Sequence, residues 1–265
     1  VFWRKKNPRN SESRRIIIGD VHGHFDALLR LLESIAPDES DSVYFLGDLI
    51  DRGNQSKQLV DFVMRNRYRS ILGNHEHMLL KAIGSGDISD YWLQNWLHSG
   101  GAETLLSYDN HIPEEHIEWF RSLPDYLDLG DIWLVHAGVD PYLPLEQQTR
   151  EQFCWIRDEF HAATRPYFED KLIITGHTVT FSFPEVKPGK IARGVGWLDI
   201  ETGAYHPKSG WLTALDITNR KVYQVHTEQK RVRVLPLEKA LATIDPRRIA
   251  ERLEKKSGQR ERARY

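Results

Sequence analysis

Three times between Arg14 and Ala82, a short apolar run gives way to a glycine-containing polar loop and then to residues at helical spacing. The runs are Arg14-Arg15-Ile16-Ile17-Ile18, Val43-Tyr44-Phe45-Leu46 and Tyr68 to Leu72. Each has the length and the β-branched or aromatic content of a buried strand. Phe25, Leu28, Leu29, Leu32 and Ile35 mark the first helix, which Pro37 closes; Leu59, Phe62 and Val63 mark the second; Met78, Leu79 and Ala82 mark the third. A strand–loop–helix rhythm this tight points to an α/β architecture with mostly parallel pairing at its start. It also says where chemistry should collect, because ligands of open α/β sheets bind beyond the strand ends.

Residues 84–125 break the rhythm. Gly84-Ser85-Gly86 opens the segment, Gly100-Gly101 divides it, and Pro113 and Pro124 bound its last helix. Tyr91, Trp92, Trp96, Leu97, Trp119 and Phe120 recur at helical spacing, so the segment reads as a helical insertion. Its aromatics are expected to pack, with a substrate groove as the alternative. Strands return at Ile132-Trp133-Leu134-Val135 and Lys171-Leu172-Ile173-Ile174, and alternating pieces at 196–200, 211–216 and 221–225 read as antiparallel strands. The expected organisation is a loose arm over 1–13, one catalytic domain over 14–227 and a basic tail over 228–265, with a helix starting at Asp245-Pro246.

Charge divides the same way. The 265 residues carry a net −2, yet from Lys230 onward 12 Lys and Arg face 5 Asp and Glu, giving +7 against −9 for the remainder. An acidic body disfavours broad nucleic-acid binding. The tail reads as a solvated helix, with an unknown acidic partner as the alternative. No apolar run reaches the roughly 18 residues of a membrane span. Val1-Phe2-Trp3-Arg4-Lys5-Lys6 lacks the apolar stretch of a secretory signal, and the single cysteine, Cys154, reads as a small packed residue between Phe153 and Trp155. A reducing, cytoplasmic setting is expected.

The strand-end loops offer Asp20 and His22, Asp48, Asn74, His136 and His177. These are oxygen and imidazole donors with no thiolate, a set that suits Mn²⁺, Fe or Zn²⁺ rather than a cysteine-held structural zinc. Two divalent ions about 4 Å apart, sharing one carboxylate, would activate a bridging water. Any one such residue has a plain reading, since a lone loop Asp caps a helix. The coincidence of all of them at strand ends is what carries the expectation.

Gly19-Asp20-Val21-His22-Gly23, Gly47-Asp48-Leu49-Ile50-Asp51-Arg52-Gly53, Gly73-Asn74-His75-Glu76, His136-Ala137-Gly138 and Gly176-His177 together resemble, in order, the signature of the phosphoprotein phosphatase family of metallophosphoesterases, in the style of its short bacterial and bacteriophage members. The resemblance runs over residues 14–227. It implies two mixed β-sheets packed as a sandwich flanked by helices, with a di-metal centre at the strand ends. It makes Asp20, His22 and Asp48 ligands of one metal, and Asp48, Asn74, His136 and His177 ligands of the other. His75 would protonate the leaving oxygen, Asp51 would orient it, and Arg52 and Arg157 would hold phosphoryl oxygens with Asn74. Asn54 departs from the proline many relatives carry there. His24 and His77 read as supporting or surface groups, and Glu76 as a hydrogen-bonding partner of a neighbouring loop.

The activity this resemblance implies is a phosphatase of phosphoserine and phosphothreonine proteins, extending to phosphotyrosine. Phosphorylated proteins would be the partners, two Mn²⁺ ions the cofactors (Fe or Zn²⁺ as alternatives), and a metal-bridging hydroxide would attack directly. Symmetrical cleavage of a dinucleoside polyphosphate, such as diadenosine tetraphosphate, is the second reading. An inactive metal-binding scaffold is the third, disfavoured by the intact His75, Asp51 and Arg52.

Overall fold

The computed structural model describes residues 13–83 and 90–262. The arm up to residue 12 and the Gly84-Ser85-Gly86 opening of the insertion lie outside the described residues. The chain begins with β1 (Arg15–Ile18), α1 (Phe25–Ile35), β2 (Ser42–Phe45), α2 (Ser56–Arg65), β3 (Arg69–Ser70) and α3 (Asn74–Ile83). These are the three expected strand–loop–helix units, with β1–β2 and β2–β3 parallel. Helices α4 (Asp90–Trp96), α5 (Ala102–Ser107) and α6 (Glu114–Ser122) follow, the first two joined across Leu97–Gly101 by a kink at Gly100.

The chain then forms β4 (Tyr126–Asp128), β5 (Ile132–Val135), α7 (Arg150–Trp155), α8 (Asp158–His161), β6 (Leu172–Thr175), β7 (Ile191–Arg193) and β8 (Trp197–Asp199). It continues through β9 (Trp211–Asp216), β10 (Lys221–His226), β11 (Val232–Pro236), α9 (Leu237–Ala240), β12 (Leu241–Thr243) and α10 (Pro246–Arg262). Two mixed six-stranded sheets result, ordered β11-β10-β9-β1-β2-β3 and β12-β7-β8-β6-β5-β4. The antiparallel pairing of β9 to β1 turns the parallel opening into a mixed sheet.

Strand side chains alternate between faces, and the core divides accordingly. Ile17, Tyr44, Leu134, Ile174, Leu198 and Leu215 meet between the sheets. Ile16, Ile18 and Phe45 turn the other way, onto Leu28, Leu31, Leu59 and Val63 of α1 and α2. On the outer face of the second sheet, Trp133, Ile173 and Trp197 pack with Phe160, Phe183 and Ile249. The chain is therefore an α/β sandwich with helices on both outer faces. Among the described residues, no helix is long and apolar enough to cross a membrane.

Residues 228–265, which composition sets apart, add one strand to each sheet: β11 beside β10, and β12 parallel to β7. Between them α9 drops Leu237 and Ala240 into the core between the sheets. Sequence patterning is weak here because β11 is an edge strand whose residues are all exposed or half-buried, which mutes the alternation. Cys154 is buried, with its thiol against the carbonyl of Leu72.

Leu237→Ala removes a buried side chain from the inter-sheet core and is expected to cost about 2–5 kcal/mol. Urea denaturation reads this as a lowered midpoint at unchanged slope; an unchanged midpoint would show that α9 is not integral to the sandwich.

Candidate metal centre

The polar loops leaving β1, β2, β3, β5, β6 and β8 all open at the same end of the sandwich. Their approach is set by backbone contact. A Cβ on Gly47 would lie 2.5 Å from the Gly73 nitrogen, and one on Gly73 would lie 2.2 Å from the Asp48 carboxylate. Glycine is required at both positions for the second and third loops to touch. The buried Glu76 carboxylate then binds them together, accepting from the backbone N–H of Asp48, Leu49, Ile50 and Gly73 at 2.8–3.2 Å. Burial, then the neighbouring Asp48 charge, push Glu76 up to about 7, and the N–H donors oppose that rise.

Several site residues occupy the left-handed region of backbone space: His22 (φ 47), Asp48 (φ 50), Asp51 (φ 74), Arg52 (φ 68) and His177 (φ 66). Such conformations cost of order 1–3 kcal/mol each and persist only where surrounding structure imposes them.

Asp48 sits at the centre. Its carboxylate lies 3.5 Å from His22 Nε2 and 3.4 Å from His136 Nε2, and accepts from the His75 backbone N–H at 3.0 Å. Two groups of ligand atoms converge on it, His22 with His75 on one side and His136 with His177 on the other. The imidazoles are oriented from behind. His22 Nδ1–H donates to the Ile50 carbonyl at 3.0 Å and His136 Nδ1–H to the Leu46 carbonyl at 2.7 Å, so both direct Nε2 at the pocket. Asn74 Oδ1 lies 2.9 Å from His136 Nε2 and 2.8 Å from His177 Nδ1. Asp20 accepts from the His177 backbone N–H through Oδ2. Sequence expectation grouped Asp20 with His22 and Asp48, whereas here it is His75 whose nitrogen stands within ligand-group distance of those two.

The donor set fits divalent cations. Asp20 Oδ1 and His177 Nε2 are buried without a hydrogen-bond partner in the structure, and such atoms are costly unless something satisfies them. Burial, then Glu201 and Asp48, push Asp20 well above the ordinary carboxylate range. Burial opposes ionisation of Asp48, but His136 and His75 outweigh it and its pKa is lowered. Burial leads the lowering of His22, His136 and His177, which keeps these imidazoles neutral and their lone pairs available.

Beside this centre, His75 Nδ1–H donates to Asp51 Oδ2 at 2.6 Å. Asp51 is fully buried and held by Trp96 Nε1–H at 3.0 Å and the Thr104 hydroxyl at 2.7 Å. Arg52 donates to His22 Nε2 at 2.7 Å and to His75 Nε2 at 2.9 Å, its guanidinium stacked 3.8 Å over the Tyr205 ring. The Arg52 backbone N–H reaches the Gly100 carbonyl at 3.1 Å. Gly100 has φ 110, and a Cβ there would lie 2.7 Å from that nitrogen. Arg157 lies on the rim, bonded to the His177 carbonyl and the Thr178 hydroxyl at 3.4 and 3.2 Å.

Sequence reasoning missed Trp96, Thr104, Tyr205 and Glu201. The sequence marks Trp96 only as one of the insertion's aromatics, expected to pack or, alternatively, to shape a substrate groove, and Thr104 carries no local signal. Glu201 and Tyr205 were findable, because Glu201-Thr202-Gly203 follows the apolar Trp197-Leu198 in the same strand-then-loop manner as the other motifs. His77, read as a supporting or surface group, is buried, and burial lowers it to about 4.

Ligands that bind only the folded state stabilise it, by about 2.7 kcal/mol for one site at a hundredfold excess over Kd. Adding Mn²⁺ or Zn²⁺ is expected to raise Tm, and Asp48→Asn to abolish most of the rise. Equal rises in both proteins would mean that the ions bind elsewhere.

Comparison with known proteins corrects one expectation. Proteins named symmetrical bis(5'-nucleosyl)-tetraphosphatase from Actinobacillus succinogenes and Nitrosococcus oceani are 33% and 36% identical over 130 and 131 residues, each match covering 47% of this chain. The matches cover 44% and 43% of those relatives, so the chain matches less than half their length. A crystal structure of a proposed diadenosine tetraphosphatase superposes with TM-score 0.59 at 19% identity, covering 86% of this chain and 95% of that one. A cold-active protein tyrosine phosphatase does so at 0.54 and 17%, covering 85% and 79%, so the fold itself does not separate these activities. The expected phosphoprotein phosphatase, with phosphorylated proteins as partners, is overturned by the relatives' names. The physical reason is that the motifs surround metals and a phosphoryl group, which both reactions share, whereas the leaving group is recognised outside them. The sequence profile of the calcineurin-like phosphoesterases matches residues 13–214, and with the sandwich and its strand-end ligand groups in place, the chain belongs to that metallophosphoesterase family.

Proposed function

We propose that this protein hydrolyses dinucleoside polyphosphates symmetrically, cutting diadenosine tetraphosphate at its central bridge into two molecules of ADP. The observation that carries this reading is the shared name of relatives 29–36% identical to this chain. The family works with a two-metal centre, and in this reading Asp20, His22, Asp48, Asn74, His136 and His177 hold the two ions. Mn²⁺ is proposed first, with Fe and Zn²⁺ also compatible with a nitrogen and oxygen donor set. Bound there, divalent cations supply Lewis-acid charge and an activated water.

The chain's own residues do the rest. Arg52, whose two terminal nitrogens reach His22 and His75, would turn that planar fork onto phosphoryl oxygens, where a guanidinium binds in bidentate fashion. Arg157 offers a second cation from the rim, 3.4 Å from the His177 carbonyl. His75 keeps its Nδ1 proton against Asp51 at 2.6 Å, so Nε2, once Arg52 has turned from it onto the phosphate and it has taken up a second proton from solvent, is the atom that would deliver a proton to the leaving phosphate oxygen. Trp96 and Thr104 hold Asp51 in register for that task. Tyr205, stacked 3.8 Å below the Arg52 guanidinium, limits how far that side chain swings.

With metal supplied, chromatography of a diadenosine tetraphosphate digest is expected to give ADP alone. AMP and ATP in equal amounts would show asymmetric cleavage, and no turnover would reject the reading. His75→Asn is expected to lower kcat by about 10²–10⁴-fold, the usual range for a lost general acid. A fall of less than about threefold, against that range, would remove His75 from proton transfer.

A further inference from the structure

The site described so far handles phosphates, yet an aromatic surface adjoins it. Trp155, at the end of α7, lies with its ring centroid 6.5 Å from that of His177. Trp92, in α4, stands 6.4 Å from Trp155 and 5.7 Å from Tyr91. His77 lies against both indoles at 6.3–6.4 Å and accepts the Trp155 Nε1–H at 3.1 Å, which fixes that ring's orientation. The indoles are half-buried against the helical core, and Tyr91 is 70% exposed. The strip thus leads from the ligand His177 out to solvent. Trp155 is followed two residues later by Arg157, so an aromatic face and a rim cation leave the metal centre side by side.

We propose that Trp155, Trp92 and Tyr91 form an aromatic platform for one nucleobase of the substrate, the base stacking face-on against one indole while the neighbouring rings, tilted by 54° and 80°, meet its edges, with Arg157 over the phosphate between that base and the cleaved bridge. The proposal rests on the dinucleoside polyphosphate reading above. Chemistry favours a base as occupant. Aromatic side chains stack on any base because every base has a π-face. A ribose and one phosphate must separate the base from the reacting phosphorus, and the platform starts one ring beyond His177 rather than within the centre. A sequence-tolerant platform of this kind would accept adenine and guanine alike.

The test compares ligands that differ only by the nucleoside. Calorimetric titration of the Mn²⁺-loaded protein with ADP and with inorganic pyrophosphate gives an affinity ratio. The wild type is expected to favour ADP. Trp92→Leu and Trp155→Leu keep an apolar side chain but remove the π-face, and each is expected to cut the ratio by about tenfold, within the range seen for single stacking residues. Trp92→Phe should retain most of it. A wild type without preference for ADP, or leucine variants that keep the full ratio, would overturn the platform. Turnover of diadenosine tetraphosphate is scored separately: hydrolysis with an unaltered ratio sinks the platform alone. Absent hydrolysis sinks the reading of the site, and the ratio still decides the platform. Should a leucine variant not fold, Tyr91→Ala on the exposed end must lower the ratio by a measurable factor, or the proposal fails.

Discussion

The carboxylate of Glu76 is the point on which the rest of the arrangement hangs. It accepts backbone N–H groups from the loop after β2 and from the start of the loop after β3. An acceptor-only group in a buried position is tolerable when every lone pair finds a donor, and here four donors converge on two oxygens. With the Val21 and His22 N–H groups on the Asp48 carbonyl, that clasp keeps Asp48 in a left-handed conformation with its carboxylate facing three imidazoles. Gly47 and Gly73 contribute by what they lack, since any side chain would force the two loops apart.

From that clasp outward the site is built by backbone. The Ile50 and Leu46 carbonyls set the tautomers of His22 and His136, and the His177 N–H anchors Asp20 across 157 residues of sequence. The sandwich supplies rigid strand ends, and the loops supply short side chains with few rotamers. Placing catalytic groups on such supports keeps them near working geometry before any ligand arrives. The helical insertion contributes in the same spirit: Trp96 and Thr104 hold Asp51, while the left-handed Gly100 lets the backbone press against Arg52.

Much of this was legible in the sequence because it is local. An apolar run followed by glycine and a polar donor marks a strand end, and the motifs at Asp20, Asp48, Asn74 and His177 have that form, while His136 follows its run directly with Gly138 behind it. What stayed hidden depends on tertiary placement. The hold of Trp96 and Thr104 on Asp51 bridges 45 and 53 residues, and the stacking of Tyr205 under Arg52 comes from a different sheet region. Strands β11 and β12 escaped because an edge strand and a three-residue strand carry little periodicity. Substrate class is not legible in the sequence for a different reason. Metal and phosphate ligands are shared by phosphatases and nucleotide hydrolases, so no amount of motif matching distinguishes the leaving group.

The proposed sharing of Asp48 by two cations can be seen by anomalous diffraction from crystals soaked in Mn²⁺. Two peaks flanking the Asp48 carboxylate are expected, one toward His22 and one toward His136 and His177. A single peak, or peaks only at surface carboxylates, would contradict it.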